Sequence, residues 1–223
     1  MEKISDIKTL TEEELKNWLK EVGEKPFRAD QIRNRLFCGQ VKSFDAMETI
    51  PAALREKLSA NFRITSLEEA KRLLSEDGTV KWLYRTHDGH HIETVLIPTN
   101  DRFSVCVSTQ IGCAQNCAFC RTAKMGFIRN LEAGEILEEI IRVNWYLEET
   151  GTKHSDGSLA KVTNIIFMGM GEPLNNLEQV HRVCCTLHHQ KLFNLGRKRM
   201  TISTSGVVPK IKELVDRNTP CCL

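Results

Sequence analysis

The chain has 223 residues, enough for one or two domains at roughly 100–200 residues each, and its 41% hydrophobic and 27% charged content excludes wholesale disorder. Its 31 basic and 29 acidic residues leave a net charge of +2, which neither demands nor excludes a nucleic-acid partner. No apolar run approaches the ~20 residues of a membrane span and the first 20 residues lack the apolar stretch of a signal peptide, so the expected compartment is the cytoplasm, with no membrane partner.

In chain order, the first 65 residues read as short helices. Thr11 with Glu14 makes a capping box, Leu15, Trp18, Leu19 and Val22 follow at helical spacing, and Gly23 stops the helix. Pro26 opens a second helix carrying Ala29, Ile32, Leu36 and Phe37, which ends near Gly39. Ile50-Pro51 starts a third, with Leu54 and Leu58 on one face and proline at the first helical position. The module's basic residues include Lys25, Arg28, Arg33 and Arg35, read equally as a solvated face or as RNA contacts.

Residues 71–75, 80–85 and 92–98 then read as strands, with Asp77-Gly78 and Asp88-Gly89 as the turns between them: a short antiparallel β linker. From 103 onward strand and helix alternate: strand 103–108, helix 132–149, strand 162–168, helix 176–190, strand 199–204, helix 207–217. That alternation predicts a parallel sheet with crossover helices, and the continuous apolar run 162–168 predicts a strand covered on both faces. Pro220-Cys221-Cys222-Leu223 reads as the start of a fourth parallel strand, and the expectation is of an incomplete, C-terminally truncated domain. The fold class is α/β, in three parts: residues 1–65 helical, 66–98 the β linker, 99–223 the strand–helix core.

The nine cysteines are an odd number, and in a reducing compartment metal or redox chemistry is expected of them rather than a disulfide framework. Cys113, Cys117 and Cys120 form C-x3-C-x2-C in the loop after strand 103–108, at the end where open α/β sheets bind ligands. Spacing alone leaves two readings. Three thiolates suit a 4Fe-4S cube with one iron open to a substrate. A zinc site would want a fourth ligand from Cys106, a histidine or another cysteine. Gly169-Met170-Gly171-Glu172-Pro173, taken alone, is a strand-to-helix turn whose glycines permit close backbone approach.

Together these motifs resemble the radical S-adenosylmethionine (SAM) enzymes. The stretches QIGCAQNCAFCRTAKMGFIRNL, NIIFMGMGEPL and MTISTSGVVP, with GEKPFRADQI and HIETVLIP upstream, resemble the dual-specificity adenine-C2 RNA methyltransferases from about residue 11 to 223. A relative acting at adenosine C8 shares much of the pattern. The resemblance implies that residues 1–65 bind RNA and that 99–223 form the first half of a radical SAM partial (βα) barrel. It implies two cofactors, a 4Fe-4S cluster on Cys113, Cys117 and Cys120, and SAM, with Gly171, Glu172 and Ser203 as SAM-binding positions. It implies 23S ribosomal RNA and transfer RNA as substrates and an electron donor such as flavodoxin. In the family that the chain resembles, one SAM methylates a protein cysteine and the other yields a radical that activates that methyl group for addition to the base. Glu93 matches the proton acceptor for C2, and Cys106 the cysteine that resolves the protein–RNA crosslink as a disulfide forms. Without the resemblance, Glu93 is an outward strand glutamate, Cys106 a small buried hydrophobe and Ser203 a turn former.

Arg121, Lys124 and Arg129, with Arg197, Lys198 and Arg199, could line a phosphate path or be solvated surface. Arg121 departs from the family, which has a small residue there. The methyl-carrying cysteine and further SAM contacts have no counterpart up to Leu223, and Cys221 and Cys222 are wrongly placed for that role, so the 223-residue chain by itself is expected not to turn over. The competing readings are another radical SAM activity, such as a glycyl-radical activase, and a non-catalytic zinc- and RNA-binding module.

Overall fold

The computed structural model describes residues 5–39 and 41–223. A two-residue strand β1 (Ser5–Asp6) leads to α1 (Glu12–Glu21), α2 (Arg28–Phe37) and α3 (Ala52–Asn61). Both arms of the Thr11/Glu14 capping box form at the start of α1, and Pro51 caps α3 from one residue outside it. After α3, β2 (Phe62–Arg63) pairs in parallel with β1 and closes the helical segment.

Three antiparallel strands follow, β3 (Glu68–Leu74), β4 (Val80–Arg85) and β5 (His91–Thr99), with the two Asp-Gly turns where the sequence predicts them. They do not form a separate sheet. β5 pairs antiparallel with β6 (Arg102–Cys106), and β6 pairs in parallel with β9 (Asn164–Phe167), which pairs in parallel with β10 (Met200–Ile202). One six-stranded sheet, ordered β10-β9-β6-β5-β4-β3, therefore carries both the meander and the parallel strands. Between β6 and β9 lie the unpredicted hairpin β7 (Gln110–Gly112) and β8 (Phe127–Asn130), then α4 (Ala133–Glu149). α5 (Leu177–His188) joins β9 to β10, and α6 (Val208–Asp216) follows β10. Cys222 forms a parallel bridge with Thr201, so the last residues do begin to pair beside β10.

One face of the sheet carries the core. Trp82, Tyr84, Ile92, Leu96, Val105, Ile165, Phe167, Met200 and Ile202 are buried, and the apolar side of α4 (Ile136, Leu137, Ile140, Val143) and of α5 (Val180, Val183, Leu187) belongs to the same cluster. That cluster runs from Ile7 to Leu214 without a break, so the N-terminal helices share it. The opposite face is only partly covered: along β9 burial alternates, with Ile165 and Phe167 inside and Asn164 and Ile166 half-exposed. This corrects the expectation of a strand covered on both faces. The run is apolar, but in this chain helices shield one side of it.

Candidate functional site

The cysteine loop hangs from the β7–β8 hairpin. Cys113 N–H donates to the Gly126 carbonyl at 3.0 Å, which fixes the entry and exit of the loop together. Gly112 makes this possible: its φ is +76°, and a Cβ there would sit 1.7 Å from the Gly126 oxygen. Cys113 is 9% exposed, while Cys117 and Cys120 are half-exposed and Phe119 between them is 92% exposed. Backbone N–H groups already point at the sulfurs. Gln115 N–H donates to Cys113 Sγ at 3.5 Å, and the amides of Ala123 and Thr122 hold the Cys120 thiol below its ordinary pKa. This donor set, three thiols with amide hydrogen bonds to two of them, fits an iron–sulfur cluster chemically. Among the described residues no three His, Cys, Asp or Glu side chains are grouped so as to hold a metal ion, so the thiols are not gathered into a finished cradle.

The second motif lies directly against the base of this loop. Thr109 and Gln110 N–H both donate to the Met170 carbonyl, at 2.8 and 3.1 Å, and Gln110 Oε1 accepts from Glu172 N–H at 2.8 Å. Gly171 has φ +101° and its Cα faces Gln110 so closely that a Cβ would lie 2.5 Å from the Gln110 Cβ. Gln110 Nε2 donates in turn to Asn130 Oδ1 at 2.7 Å, tying the motif to β8. Asn176 completes the junction by donating to the carbonyls of Thr109 and Leu131, both at 2.8 Å. Gln110 and Asn176 are the residues sequence reasoning missed. Nothing in the local pattern singles out one amide side chain.

The resemblance makes Glu172 a SAM-binding position. Its carboxylate is 4% exposed and holds protein groups instead. Oε1 accepts from Leu174 N–H at 3.0 Å, while Oε2 accepts from Ser205 N–H at 2.8 Å and from the Ser205 hydroxyl at 2.9 Å. Glu172 thereby binds the turn after β10 to the turn after β9, bringing Ser203, which is exposed, to the same end of the sheet as Gly171.

Glu93 and Cys106 lie on the open face of the sheet. Val95 pairs with Cys106, so Glu93, two residues along β5, points to the same side. Glu93 Oε1 is in an ion pair with Lys81 Nζ at 2.6 Å on the neighbouring strand. Desolvation pushes the Cys106 thiol up to about 11, with the Met168 amide opposing and the charges of Glu139 and Glu93 reinforcing the shift. All nine cysteines are free.

The expected phosphate path is divided. Arg129 forms two carboxylate forks, to Asp88 (2.7 and 2.9 Å) and to fully buried Glu135 (2.7 and 2.8 Å). It is a structural strut between the β4–β5 turn and α4, which corrects its reading as a phosphate contact. Arg197 is held by Asn218 and Thr219, and Arg199 by Asn164. Arg121 and Lys124, beside the cysteine loop, and Lys198 remain exposed.

Residues 5–64 match the family model described as the ribosomal RNA large subunit methyltransferase N-terminal domain. The chain is 43% identical over 205 residues to a protein named probable dual-specificity RNA methyltransferase RlmN from Bacillus velezensis, covering 92% of this chain and 54% of that one. It is also 43% identical over 209 residues to the dual-specificity RNA methyltransferase RlmN of Anaeromyxobacter dehalogenans, covering 94% and 55%. Among solved structures, a radical SAM methyltransferase from Sphaerobacter thermophilus superimposes with a TM-score of 0.84 at 40% identity, over 94% of this chain and 60% of that one. The chain thus spans about half the length of the curated relatives it matches.

Proposed function

By these matches the chain belongs to the dual-specificity RNA methyltransferase family, and we propose that it carries the cluster loop and part of the SAM site of an enzyme that methylates C2 of adenosine in 23S ribosomal RNA and transfer RNA. The observation that carries the proposal is the junction at Gln110, where the three-cysteine loop and the Gly169–Pro173 loop share one set of backbone bonds. When bound, a 4Fe-4S cluster held by Cys113, Cys117 and Cys120, together with SAM, supplies the one-electron cleavage that polar methyl transfer to an aromatic carbon lacks.

The chain's own residues then have separable tasks. The hairpin beneath Gly112 fixes the loop, and the Gly171 backbone packs directly on Gln110, at the junction that receives the methionine end of SAM. Glu172 acts by holding the Ser203–Gly206 turn against that backbone rather than by pairing with an ammonium through a free oxygen. Glu93 accepts the C2 proton through Oε2, since Oε1 is held by Lys81. Cys106 stays a protonated thiol at neutral pH and is the resolving cysteine. RNA docks along exposed Arg121 and Lys124, with flavodoxin-type reduction and a cytoplasmic setting. Among the described residues no helix is long and apolar enough to cross a membrane.

Anaerobic reconstitution with iron and sulfide, then EPR of the reduced protein with and without SAM, tests this reading. A 4Fe-4S signal that SAM perturbs is expected. Bound zinc without sulfide would replace the proposal with a non-catalytic metal- and RNA-binding module. Nucleoside mass spectrometry of treated RNA separates C2 from C8 methylation.

A further inference from the structure

A second site lies away from the cysteine loop, where α2 faces the turn after α5. A cleft of about 470 Å³ opens there, lined by Glu12, Asp30, Arg33, Arg35, His189 and Lys191 among others. Arg33 is 6% exposed, yet it makes no hydrogen bond or ion pair among the described residues, and its Nε is buried without a partner. Its guanidinium only rests over the Phe37 ring, 5.8 Å from the centroid. Arg35 Nε is likewise buried and without a partner among the described residues. A buried cation without a counter-ion is costly, because desolvation is not offset by any bond. Burial accordingly holds the Arg33 pKa below its ordinary value, with Glu12 and Asp30 opposing only from a distance.

Those two carboxylates are engaged elsewhere. Glu12 is held by Lys16 and by His189 Nε2 at 3.0 Å, and Asp30 by Lys191 Nζ at 2.6 Å. With Lys191 paired to Asp30 and Lys16 to Glu12, Arg33 and Arg35 are the cleft's two cations that pair with no carboxylate among the described residues. A planar guanidinium presents N–H donors in a fork that matches two oxygens of one phosphate group. We propose that this cleft is a phosphate-binding site in which the unpartnered Arg33 guanidinium, flanked by Arg35, receives an oxyanion. α5 separates it from the Gly169–Pro173 end by its own length, about 18 Å at 1.5 Å per residue. The phosphate is either a free phosphate ion or a phosphodiester of bound RNA, and the chemistry at Arg33 is the same.

The test compares the wild-type chain with Arg33→Met. Inorganic phosphate is titrated against chloride at constant ionic strength, by calorimetry. Binding of a short RNA hairpin is followed by anisotropy across a salt series. Phosphate binding that weakens at least tenfold in R33M supports a site for the free ion. RNA affinity that falls about fivefold, with the salt slope reduced by about one, supports the phosphodiester. Unchanged affinity of R33M for both probes, or binding of neither by the wild type, overturns the proposal. R33M is expected to melt no lower than the wild type, since it removes a buried unpaired charge. A lower melting temperature with unaltered anion binding would make Arg33 a packing residue only and also overturn it. Arg35→Gln serves as the second variant, with a smaller loss expected and equal affinity counting against the site. The EPR signal of the cluster is expected to be the same in R33M, so failure here is distinguishable from failure of the methyltransferase reading.

Discussion

Buried charge in this protein is resolved residue by residue, and Arg129 and Glu139 show the two outcomes. Arg129 satisfies Glu135, which is fully buried, so removing the cation leaves a carboxylate without water or full pairing. Arg129→Ala is expected to lower stability by about 3–5 kcal/mol, read from urea unfolding, with His87 at 3.6 Å offering only partial relief. Glu139 pairs with no cation among the described residues. Its carboxylate accepts from the Thr94 hydroxyl at 2.5 Å and from Ser108 N–H, and burial raises its pKa well above 4.5, with Glu135 adding to the rise. A carboxyl with a raised folded pKa stabilises the fold below the unfolded value and loses that contribution as pH rises through the folded one. Glu139→Gln keeps the acceptor for Ser108 and cannot ionise. Its melting temperature is therefore expected to exceed the wild type's at pH 8 and to approach it near pH 4.5, with roughly 2–4 °C for each kcal/mol. A difference independent of pH would contradict this assignment.

At the scale of elements, the helices of the N-terminal segment and the Asp-Gly turns were legible because their information is local. A capping box, a hydrophobic stripe and a turn dipeptide act within a few residues. The β7–β8 hairpin was not legible, because its register depends on Gly112 meeting Gly126 across the cysteine loop. Gly112→Ala is expected to force that hairpin apart. The loss should appear as failed cluster reconstitution, measured by iron and sulfide content, while far-UV circular dichroism changes little. An unaltered cluster yield in this variant would show that the loop does not need the hairpin. The partial cover on β9 has the same origin: an apolar run reports burial, but which neighbour supplies it is decided elsewhere in the chain.

Across the whole molecule, the N-terminal segment is bolted to α4 rather than linked loosely to it. Lys8 Nζ pairs with Glu138 at 2.5 Å and donates to the Thr65 carbonyl at 2.6 Å, with both charged side chains buried. Arg182 on α5 adds a fork onto Glu14 of α1 at 2.6 and 2.9 Å. Lys8→Ala is expected to cost about 3 kcal/mol and to keep unfolding in a single transition, because one core runs through both parts. Exchanging both partners, Lys8→Met with Glu138→Leu, should recover much of the loss. Two separate unfolding transitions would instead mean that the helical segment is an independent unit.

By itself, the sequence determined the α/β alternation, the three thiols in one loop, the glycine turn after the second parallel strand and the family these belong to, since each is written in contiguous residues. Only the tertiary structure decided that the meander extends the same sheet as the parallel strands. It alone showed that Gln110 ties the two motifs together, that Glu172 holds Ser205 and that Arg129 is a strut. The reason is physical. Hydrogen bonds between loops join residues far apart in the chain, 62 positions for Gln110 and Glu172, and no local propensity encodes which donor will meet which acceptor. Arg33 makes the same point: as a letter it is one more surface arginine, and only packing reveals a buried cation with no ion pair among the described residues.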